Sequence, residues 1–195
     1  MERYLTFWRR VGAGLFDGLI IWVFSLLIIN FANFQNWELQ LFWSLVIFVF
    51  ASLYMIVLTG LVGQTLGKMV MGIIVLDESD EKSFIGIKRA FFRESVPIIL
   101  QAIGMVISVV YHFVQPASYE SLVIIDDIIA NASWGWFIAE LVTMFFNERR
   151  RAVHDFLASS VVIGFKGLKF DEHYAALDEA RKPAADTKPT VADNG

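Results

Sequence analysis

Four runs of about twenty mostly apolar residues occupy much of this chain, and few folds can absorb them. They cover residues 11–31, 39–61, 95–115 and 130–146. A soluble core built from 195 residues does not need unbroken runs of this length. A helix of about 20 apolar residues, by contrast, spans the hydrocarbon of a bilayer. Composition agrees: 56% of residues are hydrophobic and 18% charged, against ~45–50% and ~25% in soluble domains. The sequence therefore predicts an all-α membrane protein, a bundle of four transmembrane helices, and excludes an ordinary soluble enzyme. The fourth run is the least clean. Asp126 and Asp127 are costly to place in hydrocarbon, so residues 116–129 read as an outer loop or interfacial segment leading into a short span.

Charge placement gives an orientation. Arg3, Arg9 and Arg10 precede the first run, and Lys68, Lys82, Lys88, Arg89 and Arg93 lie between the second and third. The other eight of the sixteen basic residues follow the fourth run, and the two remaining connections contain none. By the positive-inside rule both termini and the long central loop are expected on the cytoplasmic side. The first run is too long for a signal-peptide core and lacks a small-residue cleavage pattern, so it reads as an uncleaved span. Residues 1–169 form the expected membrane domain. Residues 170–195 read as a disordered acidic cytoplasmic tail, whose three basic and six acidic residues supply most of the net charge of −4. No basic stripe suggests nucleic acid, and the absence of cysteine excludes disulfides and thiolate metal sites.

The central loop has structure of its own. The stretch from Val70 to Leu76 is rich in aliphatic and β-branched residues and is followed by a polar turn signal; Ser159 to Phe165 has the same character. These two stretches are expected to pair as a small sheet at the membrane surface, the alternative for the first being an interfacial helix over residues 69–76. Residues 84–94 look amphipathic, with Lys88, Arg89 and Arg93 available to headgroup phosphates. The chain is expected to turn into the third span near Pro97.

At 100° per residue, polar residues inside the runs fall on stripes. In the third run Pro97, Gln101, Gly104, Ser108, His112 and Gln115 share one face, and in the fourth Ser133, Trp136, Glu140, Thr143 and Asn147 do so, continued by Arg151 and His154. In the first run Arg10, Ala13, Gly14, Asp17 and Ser25 align, and Gly14 with Gly18 forms a G-x-x-x-G pair that permits close helix approach. Such stripes suit plain bundle packing. A carboxylate at membrane depth is different, because it costs several kcal/mol unless paired, hydrated or protonated. Asp17 lies about 10 Å below Arg10 and is too short to reach the interface. It is expected either to work in a cation or proton site with Glu140, or to sit in a static clamp with Arg10, Arg151 or His154.

Three blocks carry a family likeness. The segment FWRRVGAGLFD, holding Arg10 and Asp17, is the first; Gly63-Gln64-Thr65-Leu66-Gly67-Lys68 followed by the strand-like residues 71–77 is the second. Arg150 and Arg151 ahead of His154-Asp155, followed by residues 158–163, are the third. In order and spacing the chain resembles the RDD family of bacterial membrane proteins, named for one arginine and two aspartates that map to Arg10, Asp17 and Asp155. Ser159-Ser160 stand where a Gly-Thr pair is more usual.

The resemblance implies a multi-pass protein of the bacterial inner membrane, for which a transport role is proposed and no substrate or cofactor is specified. Combined with the stripes, it makes a transporter of a small solute or cation, perhaps proton-coupled and homo-oligomeric, the expected function. The alternative is a non-transporting scaffold in which Arg10, Asp17 and Asp155 form a structural clamp. A cluster of Arg10, Asp155 and Arg150 or Arg151 would tie the first and last helices together. Residues 63–68 look like a nucleotide-binding P-loop, but Val62 and Met69 stand where glycine and a serine or threonine are needed. His154-Asp155 lacks a placed nucleophile, and three scattered histidines make no metal site, so no enzyme activity is expected.

Overall fold

The computed structural model describes residues 4–31, 36–113 and 119–164. Residues 170–195, expected to be a tail, lie outside these, as do Gln115 and Phe165. Within them the order is α1 (Phe7–Phe31), α2 (Trp37–Leu61), α3 (Leu66–Val70), β1 (Ile73–Asp77), α4 (Gly86–Phe113), α5 (Tyr119–Thr143), α6 (Val153–Leu157) and β2 (Ser160–Gly164). Among the described residues three helices, α1, α2 and α4, are long and apolar enough to cross a bilayer. At 1.5 Å per residue, the 25 residues of α1 reach about 37 Å, more than the ~30 Å of hydrocarbon. A helix satisfies its own backbone polar groups, which the bilayer cannot do.

The third and fourth spans differ most from the sequence expectation. The third helix does not begin near Pro97; it starts at Gly86 and carries Pro97 inside. Buried Ala90 and Arg93 anchor its first turns, so the one backbone bond that proline removes does not break it. The expected outer segment at 116–129 is helical from Tyr119 onward and runs straight into the fourth run, which ends at Thr143 rather than Phe146. Apolar residues at 122–125 and 128–129 carry the helix through the acidic pair. Asp126 and Asp127 are exposed on it, so neither carboxylate is forced into a packed interior.

The predicted sheet is present, shifted by up to three residues. β1 and β2 pair antiparallel, with Ile73 opposite Gly164, Val75 opposite Val162 and Asp77 opposite Ser160. The shift has a local cause. Thr65 caps α3 through its hydroxyl, which accepts from the Lys68 amide, and Gly72 at φ +63 swings the chain from helix into strand. Both faces of the sheet are covered. Ile73, Val75 and Val162 pack with Ala13, Ile56, Ile85, Ala90 and Ala158, while Ile74, Leu76, Val161 and Ile163 pack under Tyr4 and Phe84. The sheet is therefore the core of the protein, set at one end of the helices. Arg89 bonds to Asp77 at the strand end rather than facing headgroups, and Arg93 is buried; Lys88 is exposed.

Candidate functional site

Two buried polar networks meet where the sheet joins the helices. The first is centred on Asp17, 3% exposed at mid-α1. Its Oδ1 accepts from the Tyr54 hydroxyl at 2.6 Å and from the Gly67 amide at 2.9 Å, and its Oδ2 accepts from the Thr65 hydroxyl at 2.5 Å. The Tyr54 oxygen in turn accepts from the Leu66 amide at 3.0 Å. Asp17 thus finds its partners neither in Arg10 nor in Arg151 or His154, which the clamp reading had named. It grips the start of α3 because the loop folds back against α1.

The rest of that loop motif is equally committed. Gln64, fully buried, donates through Nε2 to the Ile73 carbonyl at 2.7 Å. Gly63 sits at φ +72, where a Cβ would lie 2.7 Å from the Val75 carbonyl oxygen. Lys68 is buried and its ammonium donates to the Thr59 hydroxyl at 3.0 Å. Burial, with Arg93 nearby, pulls the Lys68 amine down from 10.5 to about 8. The unfolded chain then holds a proton between about pH 8 and 10.5 that the folded chain has released, so stability rises with pH across that window. In detergent solution the unfolding midpoint of the wild type is expected to climb through this range relative to Lys68→Met, by up to ~1.4 kcal/mol per pH unit. Parallel curves would refute the assignment.

The second network is centred on Asp155, fully buried at the start of α6. Its Oδ2 accepts from Arg10 Nη1 at 2.5 Å and from the Ala152 amide at 3.0 Å. Its Oδ1 accepts from the Ser160 hydroxyl at 3.2 Å and lies 2.9 Å from Arg93 Nη1 as an ion pair, Nη1 itself donating to the Ser160 oxygen at 3.2 Å. Arg93 Nη2 lies 2.7 Å from His154 Nε2, and His154 Nδ1 lies 2.5 Å from Glu140 Oε2. A guanidinium only donates, so Nε2 carries the lone pair and the proton sits on Nδ1, directed at Glu140. The chain Glu140–His154–Arg93–Asp155–Arg10 therefore links α5, α6, α4 and α1. Three of its atoms, Arg10 Nη2, Arg93 Nε and Glu140 Oε1, are buried without a hydrogen-bond partner.

A matching family sequence model, described as the RDD family, covers residues 4–159. The chain belongs to the RDD family. No curated protein and no solved structure matches it. Arg10 and Asp155, far apart in sequence, meet as an ion pair, whereas Asp17, on the same helix as Arg10, serves the other network.

Other expected residues divide between cavities and scaffolding. A cavity of about 560 Å³ is bordered by Arg10, Gly14, Asp17, Lys68, Arg93, Pro97, Ser133, Trp136, Glu140 and His154. Toward the opposite end of α4, a second cavity of about 720 Å³ is lined by Gln101, Gly104, Ser108 and His112 together with Gln40, Ser44 and Asp126. The polar stripe of this RDD protein is thus brought to open space. Thr143 and Asn147 are not: Thr143 bonds to the carbonyls of Ala139 and Glu140, and Asn147 closes the turn by exchanging bonds with the Arg151 backbone.

Arg151 pairs with Glu78 at 2.5 Å and donates to the Asp155 carbonyl at 3.1 Å, so it braces the network from outside. Arg150, at φ +51, points to the Met144 carbonyl and does not join it. Arg93, like Tyr54 in the Asp17 network, is a residue that sequence reasoning missed as a site. The signal was available, because Arg93, Pro97 and Gln101 are spaced by four and share the stripe. Among the described residues, no group of three or more histidine or carboxylate side chains is arranged to hold a metal ion.

Proposed function

We propose that this RDD protein moves a small polar solute or cation across the bacterial inner membrane, coupled to a proton handled by Glu140 and His154. The single observation that carries this reading is the part-buried Glu140–His154–Arg93 chain with buried, unsatisfied polar atoms beside a cavity, at one end of the polar stripe of α4. Buried polar atoms are normally paired, and each unpaired one costs about 1–3 kcal/mol. Their retention beside open space fits a site that acquires a partner during function.

The chemistry follows from the bonding. A second proton arriving at His154 Nε2 places a cation against Arg93, which then leaves it. The new N–H finds Asp155 Oδ1, 3.4 Å away, and Arg93 Nε turns to Glu94 Oε1, 3.8 Å away. Proton arrival thereby exchanges the partners of Arg93 and shifts α4 relative to α6. Asp17, with both carboxylate oxygens occupied by hydrogen-bond donors, serves as a clamp and not as the ion carrier. In this reading α5 is the fourth span, both termini and the sheet face the cytoplasm, and no covalent chemistry is catalysed. Four helices are few for a complete pathway, so the working form is a homo-oligomer.

The test is reconstitution in vesicles loaded with a pH-reporting dye. An imposed Na⁺ or K⁺ gradient is expected to change internal pH in wild type, and the response should fall at least tenfold, about 1.4 kcal/mol, in Glu140→Gln. Unchanged signals in Glu140→Gln and His154→Gln would remove the coupling role. The dense bonding of Asp17 and Asp155 favours one alternative, a non-transporting scaffold held by these clamps, which absence of flux from wild type under every gradient would support.

A further inference from the structure

The cavity bordered by Arg10 and Glu140 has a shape and polarity that a water-soluble ion does not need. Its foot, beside the sheet, is ionic. Its walls, rising toward the middle of the helices, include Val11, Leu15, Met55, Phe137 and Leu141. Among the described residues α1 packs chiefly on α2 and α3, and α5 on α4 and α6, so the two helices flank a gap. Leu15 and Phe137, at its edge, are 72% and 51% exposed, which places the mouth on the lipid-facing side of the bundle. Gly14 borders the gap, and a Cβ there would meet nothing within 4 Å. The G-x-x-x-G pair expected to bring a helix close therefore faces open space, since Gly18 has no neighbour within 4 Å either.

The foot offers both kinds of hydrogen-bonding group. Arg10 Nη2 and Arg93 Nε are donors without a hydrogen-bond partner, the latter 3.8 Å from Glu94 Oε1, on side chains 9% and 4% exposed. Lys68 Nζ has donors to spare beyond the one given to Thr59. Glu140 Oε1 is an acceptor without a partner. Among the residues bordering the cavity, Arg10, Arg93 and Lys68 are matched in number by Asp17, Glu94 and Glu140, with Asp155 behind them paired to Arg10 and Arg93 and His154 neutral in the bonding described above. A near-neutral site with unused donors on one side and an unused acceptor on the other complements a zwitterion.

We propose that the gap between α1 and α5 seats one phospholipid whose headgroup carries a phosphate and a primary ammonium. The phosphate takes the free N–H groups of Arg10, Arg93 and Lys68; the ammonium donates to Glu140 Oε1; an acyl chain lies along Leu15, Met55 and Phe137. Head at the sheet end and tail toward the bundle centre is the direction in which a lipid of that leaflet already stands. The cavity of about 560 Å³ falls in the ~300–1,000 Å³ range of ligand sites. This inference goes beyond the transport reading and does not rest on it.

Native mass spectrometry of the full chain in detergent, with added phosphatidylethanolamine, phosphatidylcholine, phosphatidylglycerol or inorganic phosphate, tests it. One phosphatidylethanolamine per chain is expected to persist, bound about tenfold more tightly than phosphatidylcholine, whose quaternary nitrogen has no N–H for Glu140. Gly14→Leu places a bulky side chain in the gap, its Cβ meeting nothing within 4 Å, and should abolish retention, while Glu140→Gln should remove the preference among headgroups. Equal retention of phosphatidylethanolamine and either other lipid by wild type, or undiminished retention by Gly14→Leu, would overturn the proposal. Protection against heating by inorganic phosphate equal to that by phosphatidylethanolamine would make the foot a free-anion site and overturn it as well. Lipid retained without ion flux would leave this site standing and remove only the transport reading.

Discussion

Gly67→Ala is expected to destabilise the protein by about 3 kcal/mol or more, because overpacking and a lost buried hydrogen bond act together. A Cβ at this position would lie 2.3 Å from the Ala13 carbonyl oxygen and 2.8 Å from Asp17 Cγ. The first neighbour is helix backbone, which cannot swing aside. The second is a carboxylate held by Tyr54 and Thr65 as well as by the Gly67 amide. Any retreat of α3 to admit the methyl group lengthens the amide bond to Asp17 and leaves a buried charge short of a donor. Gly14→Ala is the control, one helical face away on α1, with nothing within 4 Å of the new Cβ. It should hold or gain stability by up to ~1 kcal/mol through helix propensity. Thermal unfolding in detergent reads both. A Gly67→Ala midpoint equal to wild type would mean that the close packing of α3 on α1 does not support the fold.

The contrast between these glycines marks what could be read from the chain before its structure was known. Both Gly14 and Gly67 are glycines in family-like motifs, and sequence alone favoured Gly14 as the site of close approach. Periodicity assigns a residue to a helix face but does not say what covers that face. The same limit applied to Asp17. Its need for partners followed from its depth; their identity depended on a loop folding back across α1, which no helix-wheel arithmetic contains. Local signals did better. The aliphatic stretches at 70–76 and 159–165 identified the sheet, and the displacement of β1 traces to Thr65 capping a five-residue helix that periodicity is too coarse to resolve. The stripe from Gln101 to His112 led correctly to a cavity because spacing within one regular helix is enough to align it. Arg93 was lost to a boundary: with the span begun at Ser95, the arginine one turn before Pro97 was assigned to headgroups, although the helix extends back to Gly86 and buries it.

Removing the charge of Asp155 should be the most damaging polar substitution in the chain. Asp155→Asn retains size and shape, so the loss it causes isolates charge. In wild type the carboxylate, with no exposure, accepts from Arg10 at 2.5 Å, the Ala152 amide at 3.0 Å and Ser160 at 3.2 Å, and pairs with Arg93 at 2.9 Å. Asparagine offers one acceptor oxygen and turns an amide N–H toward one of two guanidinium groups that can only donate. Breaking a buried ion pair from one side costs about 3–5 kcal/mol, since the partner charges remain buried and uncompensated. Two such partners here place the expected loss at the upper end of that range.

Burial by itself would push the Asp155 carboxyl up; Arg10 and Arg93 beside it pull it well below the usual carboxylate range. A carboxyl held lower in the folded chain than in the unfolded one contributes stability above its unfolded value near 3.8, lost only as pH falls below that. The deficit of Asp155→Asn should therefore be the same at pH 5 and pH 7 and shrink only in stronger acid. The triple variant Arg10→Met/Arg93→Met/Asp155→Leu removes together the three charges that meet at Asp155, leaving Glu140 paired with His154, and should recover most of the loss, because a well-packed apolar replacement leaves no orphaned charge at that point. If the triple variant were less stable than Asp155→Asn, the ion cluster would be contributing net stability of its own, and the unpaired nitrogens of Arg10 and Arg93 would have to be accounted for as part of a larger satisfied network.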